Sequence, residues 1–526
     1  MNETSRRHSS ATGQRPSIGA TAAPPAGGGR ELASGEWRRF VWVVFTTLGS
    51  ITLVVVLALL EGCPADFWRI EDPATAKQIV NILARASVTL ISSVLASLFL
   101  AIPLTANNYT PQLIDVFMRS RANRAVLAVY VFSAAFSIWL ALVTGDRFVP
   151  TIQILVSLAI VTLSLFMLLP YMFAILRLID PNVIIAEVAK GIHEALNPAS
   201  RRPIEARRRR FFERVDQLGN IALRSIDRAD RDTALDAITA LERSADRALE
   251  VKRHCGADWF EVTSEQFPGF SPEAIGFLNR DKTWMETDIL RQMSRAFVAA
   301  LTKGPDVLSA ISRSVRHFGI YAAILGDHRA LETAIRFFNN FLREALKKRD
   351  QHAIYDVLFQ YRQLAERLVE TDTAHAVAVV DHLEYYSRMA AAIGVSSALD
   401  IIGYDAGAVV VEATRLGPEG VMPFVESFLR IRRSASEDVS GLSGGLLKAR
   451  VIVAAELEAA GLTAAAGRVE ATLATVDRKN LEVARRELLD HDVESFWEVT
   501  DRQINLDYVR PALRPFATAV IEKSGK

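Results

Sequence analysis

Cysteine is almost missing from this chain of 526 residues, which has only Cys63 and Cys255. That excludes a disulfide scaffold and any cysteine-based zinc cluster, which would need three or four thiolate ligands. A surplus of charge of one sign is missing too. Lys and Arg number 61 against 60 Asp and Glu, so no global field favours nucleic acid or a strongly acidic substrate. Strand patterns, with apolar and polar residues alternating, are nearly absent. So are His-Glu-x-x-His, Gly-x-x-x-x-Gly-Lys-Ser/Thr and an Asp-rich calcium loop, and no enzymatic activity, cofactor or metal site is expected.

The chain does have long apolar runs. Phe40 to Leu60 holds 21 residues without a charge, about the 30 Å of a hydrocarbon core at ~1.5 Å per residue. Ala86–Asn107, Ala125–Gly145 and Phe148–Leu176 are three more such runs, so four transmembrane helices are expected. The long lead-in and the lack of a small-residue cleavage site argue against a signal peptide in the first run. Leu60-Glu61-Gly62-Cys63 is a poor lipidation motif, because Glu61 puts a charge where a small neutral residue belongs. Residues 1–35, rich in Gly, Pro, Ser, Ala and Arg, have the composition of a disordered tail.

Basic residues flanking the spans set the orientation. Arg6, Arg7, Arg15, Arg30, Arg38 and Arg39 precede the first span, and Arg119, Arg121 and Arg124 follow the second. Both flanks belong inside, which places both termini in the cytoplasm, Cys63 outside and Cys255 inside. Up to Leu176 the chain has 13 basic and 9 acidic residues, against 48 and 51 beyond it.

After Leu176 the pattern becomes that of amphipathic helices. Leu235, Ile238, Leu241 and Leu249 recur at helical spacing after Asp232, which stands where an N-cap would. Asp327, Asp350 and Asp372 stand at similar starts, 23 and 22 residues apart. That interval fits one helix and a turn per unit, hence a solenoid-like array or an irregular bundle. The expected fold is therefore all-α: a four-helix transmembrane domain over 36–178, a cytoplasmic helical array over 179–435, and a C-terminal helical block over 446–526. Breaks are expected at Pro268 to Pro272, Gly417 to Gly420 and Ser440 to Gly445.

Asn108-Tyr109-Thr110-Pro111-Gln112-Leu113, then Arg119-Ser120-Arg121 and the span Val126 to Leu142, resembles the bacterial membrane-protein family known as domain of unknown function 2254. There the junction reads Gln-Phe-Ser-Pro-Arg-Leu followed by a basic Asp-Arg step. The family-like junction residues here are Tyr109, Thr110, Pro111, Leu113, Arg119 and Arg121. Asp72-Pro73-Ala74-Thr75-Ala76 is similar to the family's Asp-Ala-rich entry into the second span, and Ile221-Ala222-Leu223-Arg224 with Thr233-Ala234 to a later segment. The family's Ser-Pro-x-x-Asn-Asp-Pro stretch is replaced here by Asp227-Arg228-Ala229-Asp230-Arg231-Asp232, without proline or asparagine, so a role for that loop does not carry over. The resemblance covers roughly residues 36 to 245. It implies a multi-pass protein of the bacterial inner membrane with a cytoplasmic C-terminal domain, and it lends no activity.

Within the second span Asn81, Arg85, Thr89, Ser93 and Ser97 fall at intervals of four and form one slowly drifting polar stripe. The stripe either lines an aqueous path in an oligomer, where Arg85 would favour anions, or lets helices pack closely. Arg85 also lies near enough the start of the span to snorkel. Pro103 and Pro170 are expected to kink or end their helices. Arg201, Arg202, Arg207, Arg208, Arg209 and Arg210, with Arg214, form the densest basic run. It is either a lipid-facing cluster that meets anionic headgroups or a solvated helix face paired with Glu205 and Glu213. Gly441, Gly444 and Gly445 ahead of Lys448 faintly suggest a phosphate loop, but a hinge is the better reading. His375, His382 and Glu384 make at most a weak metal set, and Phe337, Phe338, Phe341, Tyr355, Phe359, Tyr361, Tyr385 and Tyr386 read as core or as a peptide groove. The expected partners are the bilayer, further copies of the chain and a cytoplasmic protein, with no nucleic acid. Two functions follow: an oligomeric channel, or a membrane-anchored scaffold or sensor.

Overall fold

A computed structural model of the chain describes residues 70, 72–108, 121–145, 148–177, 180–432, 442, 444–496 and 501–525. Among these residues the fold is helical and has no strands, only the isolated bridges Gly145–Phe148 and Ser495–Ile504. The chain divides into two compact units, one taking in the chain up to Ala101 and Phe117–Leu176, the other Ile102–Val116 and the chain from Arg177 on.

The first unit holds most of helix α1 (Pro73–Asn108), with α2 (Arg121–Val143) and α3 (Thr151–Arg177). Three stretches are long and apolar enough to cross a membrane: Pro73–Leu100, Arg124–Val143 and Thr151–Phe173. The described residues thus show three spans where four were expected, and Phe40 to Leu60 lies outside them. Asp72 starts α1 by accepting hydrogen bonds from the Ala74 and Thr75 amides at 3.2 and 3.0 Å and from the Thr75 hydroxyl at 2.6 Å, with Pro73 as the first helical residue. Neither proline ends its helix: α1 continues past Pro103 to Asn108, and α3 past Pro170 to Arg177. Each helix buries one narrow stripe: Ala76, Val80, Leu83, Ser87, Val94 and Leu98 on α1; Tyr130, Ser133, Ala134, Ser137 and Leu140 on α2; Ile154, Ser157, Val161, Ser164, Met167 and Tyr171 on α3. The other faces carry exposed Phe99, Trp139, Leu142, Leu165 and Leu169, as lipid-facing surfaces do.

In the second unit helices alternate between two rows. One row stacks α6 (Arg231–Lys252), α9 (Pro305–Ile324), α11 (Gln351–Thr371), α13 (Ser396–Ala413) and α15 (Gly444–Ala459). The other stacks α5 (Ile204–Asp227), α8 (Trp284–Ala300), α10 (His328–Lys348), α12 (Thr373–Ala392), α14 (Gly417–Leu429) and α16 (Thr463–Leu473). From α8 to α13 each helix touches the next and the next but one, the neighbour pattern of a stacked helical array. Helix α4 (Pro181–Leu196) packs on α5 and α6 at the start of the stack, α7 (Pro272–Asp281) follows the Pro268 to Pro272 break, and α17 (Arg478–Leu489) and α18 (Arg514–Ser524) pack on α15. The C-terminal block belongs to the same compact unit as the array. Helix α15 comes so close to α13 that a Cβ on Gly445 would stand 2.4 Å from the Asp400 Cβ, and one on Gly403 would stand 2.9 Å from Leu446 Cδ1.

Local chemistry explains the regular starts. Asp327, Asp350 and Asp372 each cap a helix, accepting from the amides of Ala330 (3.0 Å), Ala353 (3.0 Å) and His375 (3.3 Å). The first helix of this type departs from the reading by one step. Its cap is Asp230, which accepts from Thr233 N at 3.2 Å, while Asp232 lies in the first turn. Asp350 has a second task, because its other oxygen accepts from Thr302 N at 2.9 Å and so ties the turn before α9 to α11. Asp350→Ala is therefore expected to cost about 1–2 kcal/mol in urea unfolding, with part of it recovered in Asp350→Asn, whose single acceptor oxygen can keep the cap but not the bond from Thr302. Equal losses in both variants would refute the capping role.

Candidate functional site

The polar stripe of α1 lies on the side of the helix away from its own bundle. At about 100° per residue, Arg85 and Thr89 point roughly opposite to the buried stripe, and the drift brings Ser97 to its edge. Asn81, Arg85, Thr89 and Ser93 are accordingly exposed and Ser97 is half-buried. The hydroxyls are satisfied within the helix: Thr89 donates to the Arg85 carbonyl (2.9 Å), Ser93 to Thr89 (3.0 Å) and Ser97 to Ser93 (2.8 Å). Each uses its proton on the carbonyl one turn back, so these hydroxyls meet an apolar surrounding without needing water.

A different hydroxyl set, not singled out from the sequence, joins the three helices. Ser87 lies 3.1 Å from Ser137 and 3.4 Å from Ser133, and Ser137 lies 3.0 Å from Ser157. Below it Tyr130 donates to the Ser164 carbonyl at 2.9 Å. These hydroxyls bond to one another across small side chains, which is how polar residues join membrane helices. Ser137 and Ser157 are each six residues from the ends of α2 and α3 at their connecting turn, hence about 9 Å deep. Arg85, two residues nearer that end than Ser87, is within reach of the interface through its flexible stem.

The basic run does not form one lipid-facing surface. Arg207 is buried: its Nε donates to the Ala195 carbonyl at 2.9 Å and its guanidinium lies 4.7 Å from the Trp259 ring centre, with burial pulling its pKa below the arginine range. Arg210 pairs with Glu194 at 2.7 Å, and Arg208 donates to the Asp258 carbonyl at 3.3 Å. Only Arg201, Arg202 and Arg209 of the six remain exposed. The helical period of α5 explains the split, since Arg207, Phe211 and Val215 share its buried face.

Of the family-like junction, Arg121 is the first residue of α2, while Tyr109, Thr110, Pro111, Leu113 and Arg119 lie outside the described residues. Gly445 serves the close approach to Asp400, and Lys448 pairs with Asp507 at 2.7 Å and Glu487 at 3.0 Å, so these residues do not form a phosphate loop. Burial pulls the Lys448 ammonium down, but the two carboxylates more than offset this and hold it above the usual lysine range. Lys448 lines a cleft with Tyr355, Asp400, Tyr404, Asn505 and Asp507, where the Tyr404 hydroxyl also donates to Asp507. Lys448 and Asp507 are engaged with each other, and Asp400 accepts from the Gly445 amide at 3.1 Å.

His382 does not share a ligand set with His375. It lies 3.1 Å from the Tyr361 hydroxyl and 3.3 Å from Asn339, and burial pulls its pKa down. The aromatic residues are mostly core: Phe338 stacks on Tyr361 at 4.9 Å and Phe341 on Phe297 at 4.4 Å, while Tyr385 is exposed.

No curated protein matches the chain. A solved structure titled "Circular tandem repeat protein with novel repeat topology and enhanced subunit contact surfaces" aligns at 13% identity over 86% of this chain and 96% of its own, with a TM-score of 0.24. That likeness carries no argument about the fold. The model of the family described as "Predicted membrane protein (DUF2254)" matches residues 37–214, a stretch that holds all three described spans. Over that stretch the chain is similar to the DUF2254 family of predicted membrane proteins.

Proposed function

We propose that the protein is a multi-pass inner-membrane scaffold, without catalytic activity, that assembles with copies of itself through the stripe on α1. Its helical array and both termini lie in the cytoplasm, the array available to a protein partner. The supporting observation is the placement of Asn81, Arg85, Thr89, Ser93 and Ser97 away from the bundle with their hydroxyls already bonded to the backbone. Small and hydroxyl residues let membrane helices approach closely, and a face repeated in every copy suits a symmetric contact. The basic flank at Arg121 and Arg124 supports the orientation. Arg201 and Arg202 remain for anionic headgroups, whereas Arg209 is exposed but lies 4.0 Å from Glu213.

Cysteine cross-linking in native membranes tests this, in a Cys63→Ser/Cys255→Ser background. Thr89→Cys and Ser93→Cys are expected to give covalent dimers on mild oxidation, whereas Phe132→Cys, exposed on α2, is not. Monomers throughout, or equal cross-linking at all three positions, would overturn the assembly face. A conducting assembly is the second reading, supported by the exposed Arg85 on the same stripe. Anion currents in reconstituted bilayers that fall in Arg85→Glu would favour it, and equal currents from Arg85→Glu, Ser93→Leu and the unmodified protein would remove it.

A further inference from the structure

We propose that His328, Asp372 and His375 form a site for one divalent transition-metal cation of the zinc and cobalt class, clamping α10 to α12. The three residues come from two helix starts in the same row of the array. Asp372 caps α12, and its Oδ1 accepts the His375 amide at 3.3 Å, which fixes the carboxylate and leaves Oδ2 facing α10. His375, one turn into α12, brings Nδ1 within 2.8 Å of Oδ2. His328, the first residue of α10, brings its own Nδ1 to 2.8 Å from the same oxygen. The two imidazole rings lie almost parallel, 9° apart with centres separated by 6.0 Å. All three ligand atoms lie within 4.8 Å of one another.

The donor chemistry selects the cation. Two imidazole nitrogens and one carboxylate oxygen suit zinc, cobalt or nickel, whereas calcium and magnesium need more oxygen ligands. His328 is 63% exposed, so the site opens to solvent and leaves positions for water. The approach of His375 Nδ1 to the carboxylate lacks hydrogen-bond geometry: the nitrogen is buried and has no hydrogen-bond partner. That leaves its lone pair for a third atom between the two rings. On the other side of the same ring, Glu332 Oε1 lies 3.8 Å from Nε2 and is itself held by Arg329 at 3.1 Å. A carboxylate behind a ligating histidine is the usual way its tautomer and orientation are set. A second group, Glu242, Asp246 and His317, is less suited. It has one imidazole at 3.4 and 3.7 Å from two carboxylates, and Glu242 already accepts from the Ser314 hydroxyl.

The test uses full-length protein in detergent, stripped with a chelator and titrated with Co²⁺ alone, read by visible d–d absorption and by melting temperature. The unmodified protein is expected to bind one equivalent, to show the absorption band and to melt higher with metal than with chelator. His328→Ala and His375→Ala should each lose the band while melting like the unmodified protein in chelator. Glu332→Gln should weaken binding by about tenfold or more, and His317→Ala should leave it unchanged. No band in the unmodified protein would overturn the site. An unchanged band in His328→Ala and His375→Ala, or a band lost only in His317→Ala, would do the same, leaving a carboxylate that is hydrogen-bonded to His328 alone with His375 beside it.

Discussion

Replacing Asp405 with alanine is expected to cost about 3–5 kcal/mol of stability, the usual penalty for breaking one side of a buried ion pair. Asp405 on α13 and Arg502 near the C-terminus both have fully buried side chains. The guanidinium grips the carboxylate with both terminal nitrogens, at 2.9 Å for the Nη2 to Oδ2 contact. It also lies over the Tyr355 ring at 4.5 Å and the Phe359 ring at 5.2 Å. Arg362 approaches the same carboxylate at 3.7 Å. Asp405→Ala would strand one fully buried guanidinium and weaken the hold on a second, with no water to replace the lost acceptor. A double variant, Asp405→Leu with Arg502→Met, removes both charges and should recover most of the loss. Urea unfolding followed by circular dichroism checks this. A loss below about 1 kcal/mol for the single variant, or a double variant no better than the single, would contradict the assignment.

The second large effect is a pH dependence at Asp288. This residue on α8 is almost fully buried, and burial pushes its carboxyl up to about 7 although Arg291 sits 2.7 Å away. The folded value lies above the unfolded one, so the stability this group contributes is fully present below about pH 4 and lost as pH rises through about 7. Each pH unit of separation is worth about 1.4 kcal/mol, so the loss approaches 4 kcal/mol above pH 8. Asp288→Asn should therefore match the unmodified protein near pH 4 and exceed it by a few kcal/mol at pH 8. A difference that stays constant between those pH values would show that Asp288 is not the group responsible.

These two sites differ sharply from the helix caps in how far they can be read without coordinates. A cap needs only an aspartate three residues ahead of the amide it accepts, so the 23- and 22-residue spacing of Asp327, Asp350 and Asp372 already marks helix starts. Asp405 and Arg502 are 97 residues apart, and nothing local to either marks the other. The same contrast separates His375 from its partners. Its cap Asp372 is three residues away and legible, whereas His328 is brought up only when α10 and α12 stack. The expected pairing with His382 failed because His382 turns toward Tyr361 and Asn339. Arg207 was indistinguishable from Arg208, Arg209 and Arg210 as a letter in a basic run. Which of them is buried depends on the angle at which α5 meets Trp259.

By itself, the sequence determined what acts within a turn or along a single segment. It gave apolar runs long enough to cross a bilayer, the capped starts of the helices beyond Leu176, the helical class, and the polar stripe at intervals of four on α1. Only the tertiary structure decided which face of α1 packs inward, that the buried serines rather than the stripe join α1 to α3, which arginines remain exposed, and which distant charges meet. The physical reason is range. Backbone propensity, capping and hydrophobic length are settled by neighbours in the chain, whereas the burial of a face and the pairing of a charge depend on which surfaces the stacked helices bring together.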